Sequence, residues 1–164
     1  MRHIAYIGIG SNVGDKVARC EEAIKAILSV AQHKLLARSS LFKTQPVGYL
    51  AQDWFVNGVI KIETPLNAPD LLQSLKAIES LMGRSDTFRW GPRIIDLDVL
   101  LFDESEIQTP QLQIPHPRLQ ERQFVLIPLA EIEPTLVHPV LKKTIQELLA
   151  ELKEDQGVER LRTC

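Results

Sequence analysis

The sequence predicts an α+β protein of the ferredoxin-like class: an antiparallel sheet with helices packed on it and further elements at the C-terminus. Two observations support this fold class. Strand-like and helix-like segments follow one another in the order strand, helix, strand, and then in the same order again. The 164 residues are 45% apolar and 24% charged, which suits one domain with its own hydrophobic core. We therefore expect a single domain over residues 1–164.

The first strand and helix follow from the hydrophobic pattern. Residues 3–10 are almost continuously apolar, as in a central strand that is covered on both faces. Residues 14–31 repeat apolar positions with a helical period, which predicts a helix with one buried stripe. A strand is then expected over residues 34–43. Gly8 and Gly10 lack the spacing of a dinucleotide-binding or P-loop motif, so we assign them to the turn between strand and helix.

A second strand–helix–strand unit is separated from the first by a loop. Residues 44–53 are rich in turn formers and without period, and residues 54–63 alternate as in a half-buried strand. After two prolines, the next helix is marked by Leu71, Leu72, Leu75, Ile78 and Met82. A polar loop over residues 83–93 leads to a strand over residues 94–102. Loops of this length in a small domain are more often functional than idle.

The C-terminal part carries shorter elements. Prolines indicate an edge segment over residues 110–117, and residues 123–132 form a short helix interrupted by Pro128. A capping box of Thr144 with Glu147 starts a last helix at about residue 145. The tail after about residue 154 is polar, and we expect it to be disordered.

Composition excludes several classes of protein. A net charge of −2 argues against a general nucleic-acid binder, and no apolar run approaches the ~20 residues that span a bilayer. The two cysteines, Cys20 and Cys164, are typical of reduced thiols and not of a disulfide framework. We therefore expect a cytoplasmic protein without nucleic-acid or membrane partners.

Two carboxylates stand two residues apart on the strand over residues 94–102. Because side chains alternate along a strand, Asp96 and Asp98 share one face. The other face is predicted to carry Ile95, Leu97, Val99 and Leu101. Neighbouring carboxylates repel each other and need cations, either arginines or hard metal ions such as Mg²⁺, which takes one or two carboxylates together with substrate phosphates.

The cations near this strand are arginines. Between Lys76 and Lys142 no lysine occurs, and the arginines there are Arg84, Arg89, Arg93, Arg118 and Arg122. Arginine is preferred where a planar fork holds phosphate oxygens, and a site role is most strongly indicated for Arg93, three residues before Asp96. His116 is held between two prolines in the same region. Two simpler explanations remain open. Some of these arginines could pair with nearby acidic residues, and the two aspartates could be a polar strand end that faces solvent.

These residues favour a magnesium-dependent phosphotransfer enzyme. Two alternatives from other classes stay open. One is a phosphohydrolase or nucleotidyl transferase that uses the same carboxylate pair. The other is a non-catalytic ferredoxin-like ligand-binding module, since a fold does not fix a function.

Five motifs resemble one known family. They are AYIGIGSNVGD (5–15), TQPVGYLAQDWFVNGVI (44–60), RWGPRIIDLDVLLF (89–102), IPHPR (114–118) and RQFVLIPL (122–129). The chain is similar in these motifs to the 6-hydroxymethyl-7,8-dihydropterin pyrophosphokinase family of folate biosynthesis, from the first strand to about residue 140. The sequence departs from the family at three positions. Asp86 stands where many members carry an arginine, and Gln111 and Gln113 stand where some members place an arginine and a threonine. These differences concern peripheral nucleotide contacts.

The resemblance implies a reaction and a set of site residues. Pyrophosphate would pass from ATP to the hydroxymethyl group of the pterin, with release of AMP. Two Mg²⁺ ions would lie on Asp96 and Asp98, which with Arg93 would be the catalytic residues. The implied ATP contacts are Glu79, Arg89, Trp90, Arg93, Val99, His116 and Arg122. The implied pterin contacts are Thr44, Gln45, Pro46, Val47, Gly48, Phe55, Asn57, Trp90 and Phe124. ATP and the pterin are the expected partners of a monomer.

Overall fold

The architecture is described from a computed structural model, which covers residues 2–45, 53–83 and 94–161. Its main strands are β1 (His3–Ser11), β2 (Lys34–Arg38), β3 (Phe42–Thr44), β4 (Phe55–Thr64) and β5 (Asp96–Phe102). Three short strands follow, β6 (Ile107–Gln108), β7 (Gln113–Ile114) and β8 (Val158–Arg160). The helices are α1 (Lys16–Ser29), α2 (Ala68–Leu81), α3 (Gln123–Ile132) and α4 (Ile145–Glu151), with a 3-10 turn at Leu119–Glu121.

The main sheet is antiparallel throughout and has the strand order β5-β1-β4-β3-β8, with β2 also paired to β4. Leaving out β8, this order places the last strand of the β1–α1–β2/β3–β4–α2–β5 unit beside the first. That arrangement is the ferredoxin-like one, so the predicted fold class is confirmed. None of the helices within the described ranges is long and apolar enough to cross a membrane.

Two hydrophobic clusters sandwich the sheet. On one face α1 and α2 pack against alternate residues of the strands, and this cluster includes Ala5, Ile7, Ile24, Ile27, Ile60, Ile62, Leu71 and Leu75. On the other face α3 and α4 pack against a second set, which includes Tyr6, Val59, Leu101, Leu126, Leu129 and Ile145. Beyond this second set, the same face of β1, β4 and β5 borders a cavity.

Local capping fixes where the helices begin. Asp15 accepts a hydrogen bond from the backbone N–H of Ala18 at 3.2 Å, and Asn67 accepts one from Asp70 at 2.9 Å. The predicted capping box at the start of α4 is confirmed, with Thr144 and Glu147 bonded reciprocally.

The prediction of one continuous strand over residues 34–43 is wrong. This segment is divided into β2 and β3 at Ser39, whose hydroxyl accepts the backbone N–H of Val59 at 2.9 Å in place of a ladder carbonyl. The backbone N–H of Ser39 still donates to the carbonyl of Val59 at 2.9 Å, so the side chain replaces only one half of the pairing where β2 ends. Within residues 110–117 only β7 is a strand, paired with β6 outside the main sheet. Helix α3 continues past Pro128 to Ile132 instead of being interrupted there.

The face predicted for Leu101 is also wrong. Opposite β1, Tyr6 pairs with Leu101 while the next residue, Ile7, pairs with Val99, so that Leu100 is an extra residue in β5. Such a bulge reverses the alternation of side chains beyond it. Leu101 therefore joins the cluster under α3 and α4, and Phe102 takes its place on the α1–α2 face.

The prediction of disorder after about residue 154 is wrong for the described part of the tail. Val158–Arg160 form β8, which pairs with β3 through Phe42↔Arg160 and Thr44↔Val158. Backbone hydrogen bonds hold this strand, and they depend little on how polar its side chains are.

Candidate active site

A cavity of about 310 Å³ opens on the sheet face that α3 and α4 leave uncovered. It brings together nine residues that the sequence predicted for the site, namely Thr44, Gln45, Phe55, Asn57, Asp96, Asp98, His116, Arg122 and Phe124. They come from β3, β4, β5, the segment after β7 and the start of α3, so the fold joins positions that are far apart in the chain. The roles of these residues remain predictions.

Two glycines make room for the cavity. Gly8 and Gly10 lie inside β1, not in the strand-to-helix turn to which we assigned them. Asp98 is paired opposite Gly8 and Asp96 opposite Gly10, so no β1 side chain stands beside either carboxylate. A Cβ atom at Gly10 would lie 2.5 Å from Oδ1 of Asn57, so any other residue there would displace that amide. Glycines at alternate strand positions were the signal for this open face.

The two aspartates are held on either side of a fixed backbone point. Asp96 is half-buried and Asp98 is exposed. Between them, the backbone N–H of Leu97 donates a hydrogen bond to Oε2 of Glu79 at 2.7 Å. Glu79 is 8% exposed and is not part of the cavity lining. The structure thus gives Glu79, predicted as a nucleotide contact, a role in supporting β5.

Val99, predicted to lie along the nucleotide, is buried and does not line the cavity. Its side chain is 4% exposed and belongs to the cluster under α1 and α2. Because side chains alternate along β5, Val99 points away from the face that carries Asp98. The side chain of Val99 is thus a core residue, and its predicted place along the nucleotide stays a prediction.

The ring of His116 lines the cavity and is held by hydrogen bonds on both sides of the residue. Its Nδ1 accepts the backbone N–H of Arg118 at 3.2 Å, so the neutral ring carries its proton on Nε2. Burial, together with the positive charges of Arg122 and Arg118, lowers the pKa of His116 to about 4. The backbone N–H of His116 donates to the carbonyl of Leu100 at 2.9 Å and ties the ring to β5.

Arg122 brings positive charge to the cavity at the start of α3. Burial lowers the pKa of its guanidinium, and the negative charge of Asp98 acts in the opposite direction. An arginine stays protonated under such a shift. Its guanidinium also lies 5.4 Å from the centre of the Phe124 ring, which fixes the two side chains relative to each other.

A polar and aromatic wall faces this charged one. Nδ2 of Asn57 donates to Oγ1 of Thr44 at 2.8 Å, across the pairing of β3 with β4. Phe55, paired opposite Thr44, is half-buried at the start of β4. Asn57 is 7% exposed, as expected for a strand asparagine whose amide has partners.

A cluster just before β4 was missed by the sequence analysis. Nζ of Lys16 lies 2.8 Å from Oδ2 of Asp53 and 4.1 Å from the centre of the Trp54 ring. The hydrogen bond from Lys16 holds the pKa of the Asp53 carboxyl below its usual range. Since Phe55 follows directly, these contacts fix the edge of the cavity. No spacing in the sequence links a lysine of α1 to this point.

Other predicted site residues lie outside the described residues. They are Pro46, Val47, Gly48, Arg89, Trp90 and Arg93. Within the described ranges, no group of three or more His, Cys, Asp or Glu side chains is placed to hold a metal ion.

Comparison with known proteins decides the family. A sequence profile of 7,8-dihydro-6-hydroxymethylpterin-pyrophosphokinase matches residues 6–134. The chain belongs to this pyrophosphokinase family. As a member it is an ATP-dependent pyrophosphokinase of folate biosynthesis, as the resemblance of its motifs implied.

Full-length relatives share the family name. The 2-amino-4-hydroxy-6-hydroxymethyldihydropteridine pyrophosphokinase of Methylorubrum extorquens is 41% identical over 96% of this chain and 98% of its own. The Bacillus subtilis protein of the same name is 42% identical over 97% of this chain and 96% of its own. The folic acid synthesis protein fol1 of Schizosaccharomyces pombe is 42% identical over 94% of this chain, which matches 21% of that longer protein.

Solved structures agree on the fold. The Plasmodium falciparum HPPK-DHPS with pteroate matches 92% of this chain with a TM-score of 0.76 at 18% identity. The chain spans 42% of that structure's length. At this identity the likeness supports the pyrophosphokinase fold and nothing finer.

Proposed function

We propose that this chain transfers the β,γ-diphosphate of ATP to the hydroxymethyl oxygen of 6-hydroxymethyl-7,8-dihydropterin and releases AMP. One observation supports this most strongly. A single cavity is lined both by residues suited to a metal ion and to phosphate, Asp98 and Arg122 respectively, and by residues suited to a flat heteroaromatic ring, such as Asn57 and Phe124. Relatives along the full length of the chain carry the name of this activity.

The pterin would occupy the wall formed by β3, β4 and the start of α3. Phe55 and Phe124 offer aromatic faces for stacking, which flat rings prefer. Asn57, with its amide oriented by Thr44, and the neighbouring Gln45 offer donors and acceptors to the polar edge of the ring.

Asp96 and Asp98 would hold the magnesium ions. Their carboxylates are hard oxygen donors on one face, and Mg²⁺ is commonly bound by one or two carboxylates with phosphates and water completing its shell. When bound there, two ions would neutralise triphosphate charge and lower the pKa of the attacking hydroxyl. The open β1 backbone opposite the pair leaves space for such ligands.

His116 and Arg122 would hold phosphate oxygens, together with Arg93. The Nε2–H of neutral His116 donates one hydrogen bond, and the fork of Arg122 donates several while neutralising charge. Burial and the neighbouring arginines lower the pKa of His116 to about 4, which favours the neutral ring as a donor in the absence of ligand.

The reaction is proposed as one in-line displacement. The hydroxymethyl oxygen bonds to the β-phosphorus, its proton passes to water, and the bond from that phosphorus to the AMP oxygen breaks, so that AMP leaves. No activated protein nucleophile lines the described part of the cavity. The protein then contributes through positioning and electrostatic stabilisation.

Product analysis tests the proposal. Wild-type chain, ATP, Mg²⁺ and the pterin should give AMP and a diphosphorylated pterin, and AMP should depend on the pterin. Asp96→Asn and Asp98→Asn should each lower kcat at least about a hundredfold while the fold survives, since the metal platform is lost. Glu106→Gln, an exposed carboxylate away from the cavity, is the control. Formation of ADP, or hydrolysis of ATP without pterin, would favour a phosphohydrolase instead.

A further inference from the structure

The segment after α4 connects two walls of the cavity. Gln156 contacts the start of α3, and the next residue, Gly157, contacts Gln45. β8 then pairs with β3, the strand that carries Thr44. Residues 154–161 therefore form a strap, here called the C-terminal strap, between two groups of predicted ligand contacts.

A reciprocal pair of glutamines fastens the strap to α3. Oε1 of Gln156 accepts the backbone N–H of Gln123, and Oε1 of Gln123 accepts the backbone N–H of Gln156, both at 2.9 Å. Each side-chain amide then donates at 3.0 Å to a backbone carbonyl, that of Glu121 for Gln156 and that of Glu154 for Gln123. These hydrogen bonds join two segments whose glutamines are 33 positions apart in the chain.

This pair replaces a missing helix cap. The first N–H groups of a helix lack partners within it, and a side chain just before the helix commonly accepts one of them. Arg122 occupies the capping position of α3, but its side chain makes no capping hydrogen bond. Gln156 supplies the acceptor from the other end of the chain, so the start of α3 depends on the strap.

The residues on either side of Gln123 line the cavity. Arg122 and Phe124 both do so, and the distance of 5.4 Å between guanidinium and ring couples them. A shift of Gln123 would move both side chains. Side chains that bind a flat ring need placement within about 0.5 Å, which a fixed helix start provides.

The strap also fixes the opposite wall. The backbone N–H of Gln45 donates to the carbonyl of Gly157 at 3.3 Å. Gly157 has φ of 72°, and a Cβ atom there would lie 2.5 Å from Cγ of Gln45. Glycine therefore allows the strap to pack closely on a residue that lines the cavity.

We propose that Gln156 is a positioning residue for the pterin: through Gln123 it holds Phe124, and through the adjoining Gly157 it holds Gln45. This inference rests on the proposed function, because the ligand of that wall is taken to be the pterin. The side chains assigned to magnesium, Asp96 and Asp98, lie on β5, at the opposite end of the strand order from β8. Loss of the hydrogen bonds between Gln156 and Gln123 should therefore weaken pterin binding more than nucleotide binding.

The test compares Gln156→Ala, Gln123→Ala and the double variant with wild type. Pterin dissociation constants are measured by fluorescence with a non-hydrolysable ATP analogue present, nucleotide affinity by calorimetry, and stability by thermal unfolding. Either single variant should raise the pterin dissociation constant about tenfold, a loss typical of misplaced binding groups. The double variant should be worse than either, because each single variant removes a different pair of side-chain hydrogen bonds between the strap and α3. Nucleotide affinity should fall by a smaller factor, because Arg122 shifts with Gln123 whereas Asp96 and Asp98 on β5 do not.

Two further variants separate positioning from folding. Gln156→Glu keeps an acceptor for the N–H of Gln123 but loses the donor to Glu121, so its dissociation constant should be intermediate. Gln146→Ala, an exposed glutamine on α4, should behave as wild type. Folded variants with unchanged pterin affinity, or equal loss of pterin and nucleotide affinity, would overturn the role of Gln156. A wild type that binds no pterin would overturn the proposed function itself.

Discussion

Asp96 and Asp98 owe their accessibility to residues on another strand. Each is paired opposite a glycine of β1, so the sheet surface over β1, between β5 and β4, is open where side chains would otherwise cover it. Alternation in the sequence predicted that the carboxylates share a face. It did not predict the role of Gly8 and Gly10, because a glycine inside a strand and a glycine in a turn look alike until the pairing is known.

The lowered pKa of His116 predicts how the stability of the protein depends on pH. An unfolded histidine binds a proton below about pH 6.5, whereas folded His116 does so only near pH 4. The stability contributed by neutral His116 is therefore complete above about pH 6.5 and is lost as the pH falls toward 4. The free energy of unfolding in urea should fall over this range more steeply for wild type than for His116→Gln.

Two amide substitutions of His116 distinguish the roles of its two ring nitrogens. His116→Gln would place an amide near the position of Nε2, whereas His116→Asn would place one near that of Nδ1. We expect His116→Gln to retain more AMP release at pH 7.5 than His116→Asn, because Nδ1 accepts the N–H of Arg118 and leaves Nε2 as the nitrogen proposed to donate to phosphate. Parallel unfolding curves across pH, or equal activity of the two variants, would contradict this account of His116.

At the scale of elements, α2 supports the strand that carries the carboxylates. Glu79 lies in the buried stripe of α2 and accepts the N–H of Leu97 between Asp96 and Asp98. The helical period predicted α2 and its apolar stripe. It could not reveal that one buried position is a carboxylate serving β5, since that contact depends on how helix and strand pack.

Removing this carboxylate should cost stability before it affects nucleotide binding. Glu79→Ala leaves the N–H of Leu97 without that acceptor, which should lower the free energy of unfolding by about 1–3 kcal/mol. Glu79→Gln keeps an oxygen acceptor and should lose less. Urea unfolding gives the stabilities, and the KM for ATP gives the nucleotide effect. A large rise in KM for ATP with unchanged stability would instead favour the direct nucleotide contact first predicted for Glu79.

Over the whole molecule, local patterns predicted the fold better than the details that shape the site. The order of elements, both long helices and the capping box of α4 follow from period and cap chemistry. The bulge at Leu100 and the C-terminal strap do not, because each depends on pairing between distant segments. Nine of the predicted site residues do meet in one cavity. Their meeting was predicted from the resemblance to a known family, which implied that their motifs lie together in the fold.

We propose that one wall of this cavity binds the phosphates of ATP and the other binds the pterin, so that the diphosphate passes from one to the other. The most direct measurement follows ATP labelled separately at the α-, β- and γ-phosphorus through a single reaction with the pterin and Mg²⁺. We expect the β and γ labels both to appear in the pterin product and the α label to appear only in AMP. A pterin product carrying the γ label alone, or the β and γ labels released together as free pyrophosphate, would contradict this proposal.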